Sequence, residues 1–208
     1  AQDAIKKLFI EQKSWDELEA FYARQNKYDE LIRTFERQVE LEDDANKVLL
    51  NNRIAVLYRD KLGKADRAMR AFESVLKLDG KNLTAAEALI PLYEGAKDAK
   101  KLAGVLEIQL SHTEDVDTRV ERIRRLAELT ETALKDKATA YTWYLRAFAE
   151  DHRPDWLRTE LERLAAETGG YPQLVKAYED AAPKYTDRID ALPVLLVVAS
   201  VYESQLED

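Results

Sequence analysis

The sequence predicts an all-α protein, an α-α superhelix in which antiparallel helical hairpins stack into a right-handed solenoid. Three observations predict it. Large and small apolar residues return at a fixed interval of 71–72 residues. Within each interval they lie three and four apart, the spacing that gathers side chains on one helix face. Stretches such as residues 16–44 are rich in Ala, Leu, Glu, Lys and Arg, whereas six Gly and five Pro are too few for a chain of many tight β-turns.

The interval is read by laying the chain on itself. Leu18, Tyr22, Leu31 and Glu36 recur as Leu89, Tyr93, Leu102 and Glu107 at an offset of 71. Tyr28, Leu31 and Phe35 recur as Tyr171, Leu174 and Tyr178 at an offset of 143. Arg53 to Leu57 align with Arg125 to Leu129 at 72, followed by Leu62 with Leu134, Ala68 with Ala140, Phe72 with Tyr144 and Asp79 with Asp151. Ala199, Tyr202 and Leu206 repeat Ala55, Tyr58 and Leu62. Such a period marks units that complete their cores only against neighbours. The expected organisation is a single array over 1–208, with units at 13–82 and 83–154 and an incomplete one at 155–208.

Taken in order, the spacing predicts helices at 3–11, 15–25, 28–41, 45–62, 65–78, 83–95, 98–111, 116–134, 137–149, 155–168, 172–183 and 189–206. Trp15, Leu18 and Tyr22 share one face, and Leu31 with Phe35 forms the matching stripe beyond the short polar turn Gln25-Asn26-Lys27, so the two helices must pair antiparallel. Ser14 stands where an N-cap is expected, with Asp16 and Glu17 in the first turn. Asp43-Asp44 and Asp115-Val116-Asp117 precede long helices and read as caps, since a calcium loop needs an alternating ligand series followed by Gly and Glu. Gly63 fits a helix C-terminus, Gly169-Gly170 a break, and Pro154 and Pro172 first-turn positions. Pro193 fits a first turn if its helix starts near Ala191, and Pro91 calls for a kink or a late start. Small Ala68 and Ala140 let paired helices approach closely.

Trp15, Leu18, Tyr22, Leu31 and Phe35 resemble, in register, the hairpin of the tetratricopeptide repeat, with Leu31 where that family has a small residue. Ala55, Tyr58, Ala68, Phe72 and Val75 match with a turn one residue longer. Ala127, Ala140, Tyr144 and Ala147 match again, with Thr130 in the Tyr position. The resemblance covers almost the whole chain and implies a fold more firmly than a partner. It also implies that partners lie along the first helix of each hairpin, at Asp16, Ala20, Arg24, Asn52, Val56, Arg59, Asp60, Glu87, Glu94, Arg124, Glu128 and Glu131. The Lys and Asn pattern by which some members grip C-terminal carboxylates is not found.

Composition excludes several functions. There is no cysteine, hence no disulfide and no thiolate chemistry. The net charge of −8, from 32 basic residues among 40 acidic ones, offers no basic stripe for nucleic acid. Ala191 to Val201 is the longest apolar run, about half of what spans a bilayer, so no membrane insertion is expected, and no signal peptide opens the chain. His112 and His152, 40 residues apart near helix ends, read as surface residues rather than metal ligands. Gly63-Lys64 lacks the earlier Gly of a phosphate loop, and no serine has a base beside it. Aromatics recurring at the repeat period read as core, and Arg122, Arg124 and Arg125 as partners of Glu121 and Glu128.

No catalytic residue, metal or cofactor is therefore expected. The chain reads as a protein-interaction scaffold that binds a partner protein or peptide along its concave face, one segment of a larger assembly. The alternative is a structural or oligomerisation module that makes contacts through the solenoid ends. A terminal cap should carry a polar outer face, so the apolar C-terminal helix implies either that the chain is cut from a longer array or that this helix docks against another subunit, and self-association through it motivates that alternative. A helical enzyme or RNA-processing subunit is a third reading.

Overall fold

The computed structural model describes residues 2–204. Among the described residues there are twelve α-helices and no strand. They fall into two compact units, 1–96 and 97–208. The first holds α1 (Gln2–Glu11), α2 (Trp15–Ala23), α3 (Tyr28–Val39), α4 (Asp44–Val56), α5 (Ala65–Leu78) and α6 (Leu83–Ala96), and α4 runs on into a π-helical turn, Leu57–Lys61. The second holds α7 (Ala99–Ser111), α8 (Val116–Thr132), α9 (Lys137–Glu150), α10 (Asp155–Thr168), α11 (Tyr171–Ala181) and α12 (Arg188–Ser204), with a 3₁₀ turn, Ala182–Lys184, after α11. Apart from the helix read as 45–62, whose α-helical part ends at Val56, and the end read at 206, which lies outside the described residues, the boundaries lie within two residues of those read from the spacing. Leu206, the last repeat match, lies outside the described residues.

The backbone carries the same period as the side chains. Asn26 (φ 53°), Lys97 (φ 56°) and Gly169 (φ 73°) follow α2, α6 and α10 at offsets of 71 and 143, and all adopt the left-handed conformation. Gly63 (φ 60°) and Lys135 (φ 59°), 72 apart, do the same after α4 and α8. In the shorter turns the Lys27 amide donates to the Tyr22 carbonyl at 3.1 Å and the Gly170 amide to Ala165 at 3.0 Å. In the longer ones Lys64 reaches Tyr58 at 2.8 Å and Asp136 reaches Thr130 at 3.1 Å, one residue further back. The π-helical turn absorbs the additional residue after α4.

A left-handed conformation costs a non-glycine residue about 1–2 kcal/mol, part of which glycine returns as greater freedom in the unfolded chain. Lys135→Gly should therefore stabilise the protein by about 1 kcal/mol, seen as a higher urea midpoint with an unchanged slope. A lower midpoint would show that the Lys135 side chain matters more than its backbone. Gly170 is held by contact instead, because a Cβ there would lie 2.4 Å from Cε1 of Tyr141.

The acidic caps form where expected. The Asn46 amide donates to Asp43 at 2.9 Å and the Thr118 amide to Asp115 at 2.8 Å. The backbone bond from Asn46, and the side-chain and backbone bonds from Thr118, hold the two carboxyls below the usual carboxylate range. Asp136 and Asp98 cap α9 and α7 in the same way. Three expectations are corrected. Ser14 occupies the N-cap of α2 but its side chain makes no capping bond. Pro154 is itself the N-cap of α10. Pro91 and Pro193 both lie inside helices, α6 starting at Leu83 and α12 at Arg188, so neither marks a start. Both prolines are exposed, where water can reach the carbonyl each leaves unpaired.

Packing alternates along the chain. Ala55, Ala68, Ala127 and Ala140 are fully buried, and the pairs α4–α5 and α8–α9 run close together over much of their length. The pairs α2–α3 and α10–α11 touch over fewer positions, because fully buried Leu31 and nearly buried Leu174 take the place of Ala68 and Ala140. Successive hairpins are also latched. Tyr58 Oη donates to Glu36 at 3.1 Å, Tyr93 to Glu73 at 3.0 Å and Tyr202 to Glu179 at 3.2 Å. Each of these Glu residues follows a core aromatic (Phe35, Phe72 or Tyr178), so the pattern of α3 recurs in α5 and α11. Thr130, in the Tyr position of α8, bonds the Leu126 carbonyl of its own helix instead, at 2.6 Å.

Candidate functional site

The first helices of the hairpins are α2, α4, α6, α8, α10 and α12, and the sequence-predicted contact residues lie on the first four or at their ends. In the first unit, Arg53 of α4 joins two carboxylates of α2, Asp16 at 2.6 Å and Glu19 at 3.1 Å. Asp16 is thus an anchor for Arg53 rather than a free charge. Arg24 is exposed at the end of α2, and Val56 is 38% exposed on α4. Asn52 is half-buried, and its Oδ1 is enclosed without a hydrogen-bond partner in the protein. The neighbouring Arg53 Nε is enclosed and unpartnered in the same way, although both of its Nη atoms are bonded. Arg59 holds its own neighbour Asp60 by two bonds of 2.7 and 3.1 Å and lies 5.8 Å from the Phe72 ring. That bond raises the Arg59 pKa and lowers that of Asp60. Glu87 and Glu94 are exposed on α6.

In the second unit, Arg124 of α8 bonds Glu128 at 2.9 Å and stacks 4.6 Å from the centre of the Trp156 ring on α10. Behind Trp156 lies Tyr144, whose hydroxyl is pushed up to about 12 by burial. Glu131 is engaged by both Nη atoms of Arg163, at 2.9 and 2.7 Å, and Arg163 also holds Glu160 at 2.6 Å and Glu167 at 3.1 Å. Arg163 therefore ties α10 to α8 as Arg53 ties α4 to α2. A fork of planar donors meeting two carboxylate oxygens fixes orientation better than a point charge could.

Three further readings are corrected by these contacts. Arg122 does not pair with a Glu on its own helix. It reaches back to the end of α7, bonding the Gln109 carbonyl at 3.0 Å and the Thr113 hydroxyl. Arg119 joins it there, donating to the Thr113 carbonyl at 2.8 Å while bonding Glu150 at 2.7 Å, so α8 supplies cations to the negative end of α7. His112 is exposed as expected, but His152 is half-buried, with the Tyr185 ring 4.5 Å away edge-on and Phe148 beyond it. Desolvation lowers its pKa, with the Asp151 charge acting in the opposite sense. Trp143 and Trp156 are only half-buried, so not every aromatic at the repeat period belongs to the core.

Arg53, Glu19, Arg163 and Trp156 were not anticipated as site residues. Arg53 and Arg163 could have been suspected, since each lies one hairpin on from a carboxylate at a groove position, yet only the packing of successive first helices brings the charges together. Among the described residues, no group of three or more His, Asp or Glu side chains is placed to share a metal ion. No helix among them is long and apolar enough to cross a membrane. An apolar cleft of about 300 Å³ between α9 and α11, floored by Phe148 and Ala177, is bounded by second helices and not by the first-helix faces.

Residues 14–49, which span α2, α3 and the start of α4, match the tetratricopeptide repeat family. No curated protein matches the sequence. Among solved structures, a MamA RS-1 ArsTM double mutant is similar at 16% identity and a TM-score of 0.44, covering 94% of this chain and 97% of that one. A structure of YrrB, titled a TPR protein with an unusual peptide-binding site, is similar at 17% identity and a TM-score of 0.38, covering 83% of this chain and 94% of that one. The matched hairpin, its in-register recurrence at 71–72 residues and the left-handed turns that recur with it make this chain an all-helical repeat protein in which residues 14–49 are similar to a tetratricopeptide repeat.

Proposed function

We propose that the protein binds an extended peptide or protein segment along the faces of its first helices, and that it acts by binding and not by catalysis. The observation that carries this reading is that first helices present apolar, charged and aromatic side chains to solvent, Val56 on α4 and the Arg124–Glu128 pair over half-buried Trp156 in the second unit. Exposed Val56 offers an apolar contact for a side chain of such a segment. In the second unit Arg124, Glu128 and Trp156 present a cation, a carboxylate and an aromatic face of the kind that anchors side chains. The net charge of −8 supports a protein rather than a nucleic acid as the ligand.

The test is selection from a displayed library of short peptides on the purified chain, followed by affinity measurement for the enriched sequence. Val56→Glu should weaken binding by about tenfold while circular dichroism stays unchanged, the scale expected when one buried contact is lost. A library that yields no binder, or a binder indifferent to Val56→Glu and to Arg124→Ala, would sink the proposal.

A further inference from the structure

The cleft of about 300 Å³ between α9 and α11 lies between the second helices of successive hairpins. In the first unit the groove between α3 and α5 occupies the corresponding place and is open as well, so the packing of one hairpin on the next does not cover this face. The two grooves differ in lining. Charged Glu36, Arg67, Arg70 and Lys77 border the first, whereas Leu145, Phe148, Ala149, Ala177 and Ala181 line the second. The repeat period shows where the difference arises. Leu145 and Ala149 of α9 stand at the positions of Glu73 and Lys77 of α5, 72 residues earlier. Ala177 and Ala181 of α11 stand at those of Thr34 and Gln38 of α3, 143 residues earlier. Four polar positions of the repeat are thus apolar on two facing helices, with Ala149 exposed and Leu145 and Ala177 half-buried at the mouth. The rim is charged. Lys176, Asp180 and Lys184 follow at intervals of four residues along α11 and the 3₁₀ turn, and all three are exposed. Among the described residues none of these three is held in an ion pair, unlike Arg53, Arg119 and Arg163.

We propose that the cleft docks an amphipathic helix of a partner protein, one that carries large apolar side chains on one stripe and, beside it, an acidic, a basic and an acidic residue at intervals of four. Two helices side by side leave a groove that a third helix enters with a ridge of residues three and four apart. From Lys176 to Lys184 the rim extends about 12 Å, a little over two turns of such a helix. The charges choose among helices. An acid opposite each lysine and a base opposite Asp180 satisfy all three, whereas a wholly acidic helix would meet Asp180 and a wholly basic one would meet both lysines. The pattern reads the same from either end, so it sets the register and leaves the direction to the apolar contacts. A volume at the lower bound of the roughly 300–1,000 Å³ of small-ligand pockets, with an open mouth, suits side chains inserted from a docked helix better than a free small molecule. The inference does not rest on the peptide-binding reading, since none of these residues lies on α2, α4 or α8.

The test is selection on the purified 208-residue chain from a displayed library of helical peptides with a fixed leucine stripe and randomised flanks, followed by fluorescence anisotropy of the enriched peptide. Enriched peptides should carry the acidic, basic, acidic series beside the leucines. Ala149→Trp fills the mouth and should weaken binding at least about tenfold with circular dichroism unchanged. The triple change Lys176→Glu, Asp180→Lys and Lys184→Glu should weaken it by a similar factor, and a peptide with its three charges reversed should recover the affinity on that variant. This recovery does not depend on the folding of the tryptophan variant. Val56→Glu and Arg124→Ala should leave the affinity unchanged, which separates this cleft from the first-helix faces. A library without binders, binders indifferent to Ala149→Trp, or a reversed peptide that recovers nothing would overturn the proposal. So would self-association of the chain that Ala149→Trp abolishes, since the occupant would then be a second copy.

Discussion

Leu31→Ala should destabilise the protein by about 2–5 kcal/mol, the range for emptying a well-packed leucine site. Leu31 is fully buried on α3, at the position where α5 and α9 carry Ala68 and Ala140. Those alanines let their helices close on α4 and α8, but α2 and α3 stand further apart, with Leu31 filling the space between them. Alanine at 31 would therefore leave a cavity, since the short polar turn and the Trp15–Phe35 edge contact, 5.9 Å between centroids, hold the two helices at their present separation. Urea denaturation followed by circular dichroism reads the loss as a lower midpoint. Native-state hydrogen exchange should show α2, α3 and α4 losing protection first, because a hairpin in such an array is stabilised by its immediate neighbours. A loss below about 1 kcal/mol would mean that α2 and α3 collapse together, as the alanine hairpins do.

Ala140→Leu is the reciprocal experiment and should cost about 1–3 kcal/mol through overpacking. Ala140 is fully buried at the close crossing of α8 and α9, where Leu126, Ala127 and Tyr144 are also within the core. Three added carbons have no room unless α9 moves off α8, which would disturb Tyr141, whose hydroxyl donates to the Gly170 carbonyl at 2.8 Å. The measurement is the same urea midpoint, together with the near-ultraviolet circular dichroism of the tyrosines. A neutral or stabilising result would show that the alternation of tight and open hairpins is not set by these side chains. The same residue type at equivalent positions is thus expected to act in opposite directions, which a single propensity scale cannot produce.

The helices and their order were legible because a helix face needs only residues three and four apart, and the stripes of Trp15, Leu18 and Tyr22 or of Ala68, Phe72 and Val75 declare themselves locally. The acidic caps were legible for the same reason, since Asp43 and Asp115 act on amides three residues away. Pro193 was misread as a first-turn residue, and Pro91 as the sign of a late start, because local rules treat proline as a break, whereas packing of the rest of each helix outweighs one missing bond at an exposed site. The candidate contact residues were legible as positions on first helices but not as charges. Asp16 and Glu131 proved to be bound by Arg53 and Arg163 from the first helix of the next hairpin. Arg122 turned back to cap α7, and His152 went under Tyr185.

By itself the sequence determined the helical class, the 71–72-residue period, most helix boundaries to within two residues and the alternation of Ala and Leu at the crossing position. These follow from contacts within one helix or from a pattern that repeats, and both are written along the chain. Only the tertiary structure decided which charges are braces between helices and which polar atoms of α4 are enclosed without a partner. Those depend on distances between residues roughly 30 or more positions apart, and such distances are set by how closely neighbouring helices pack.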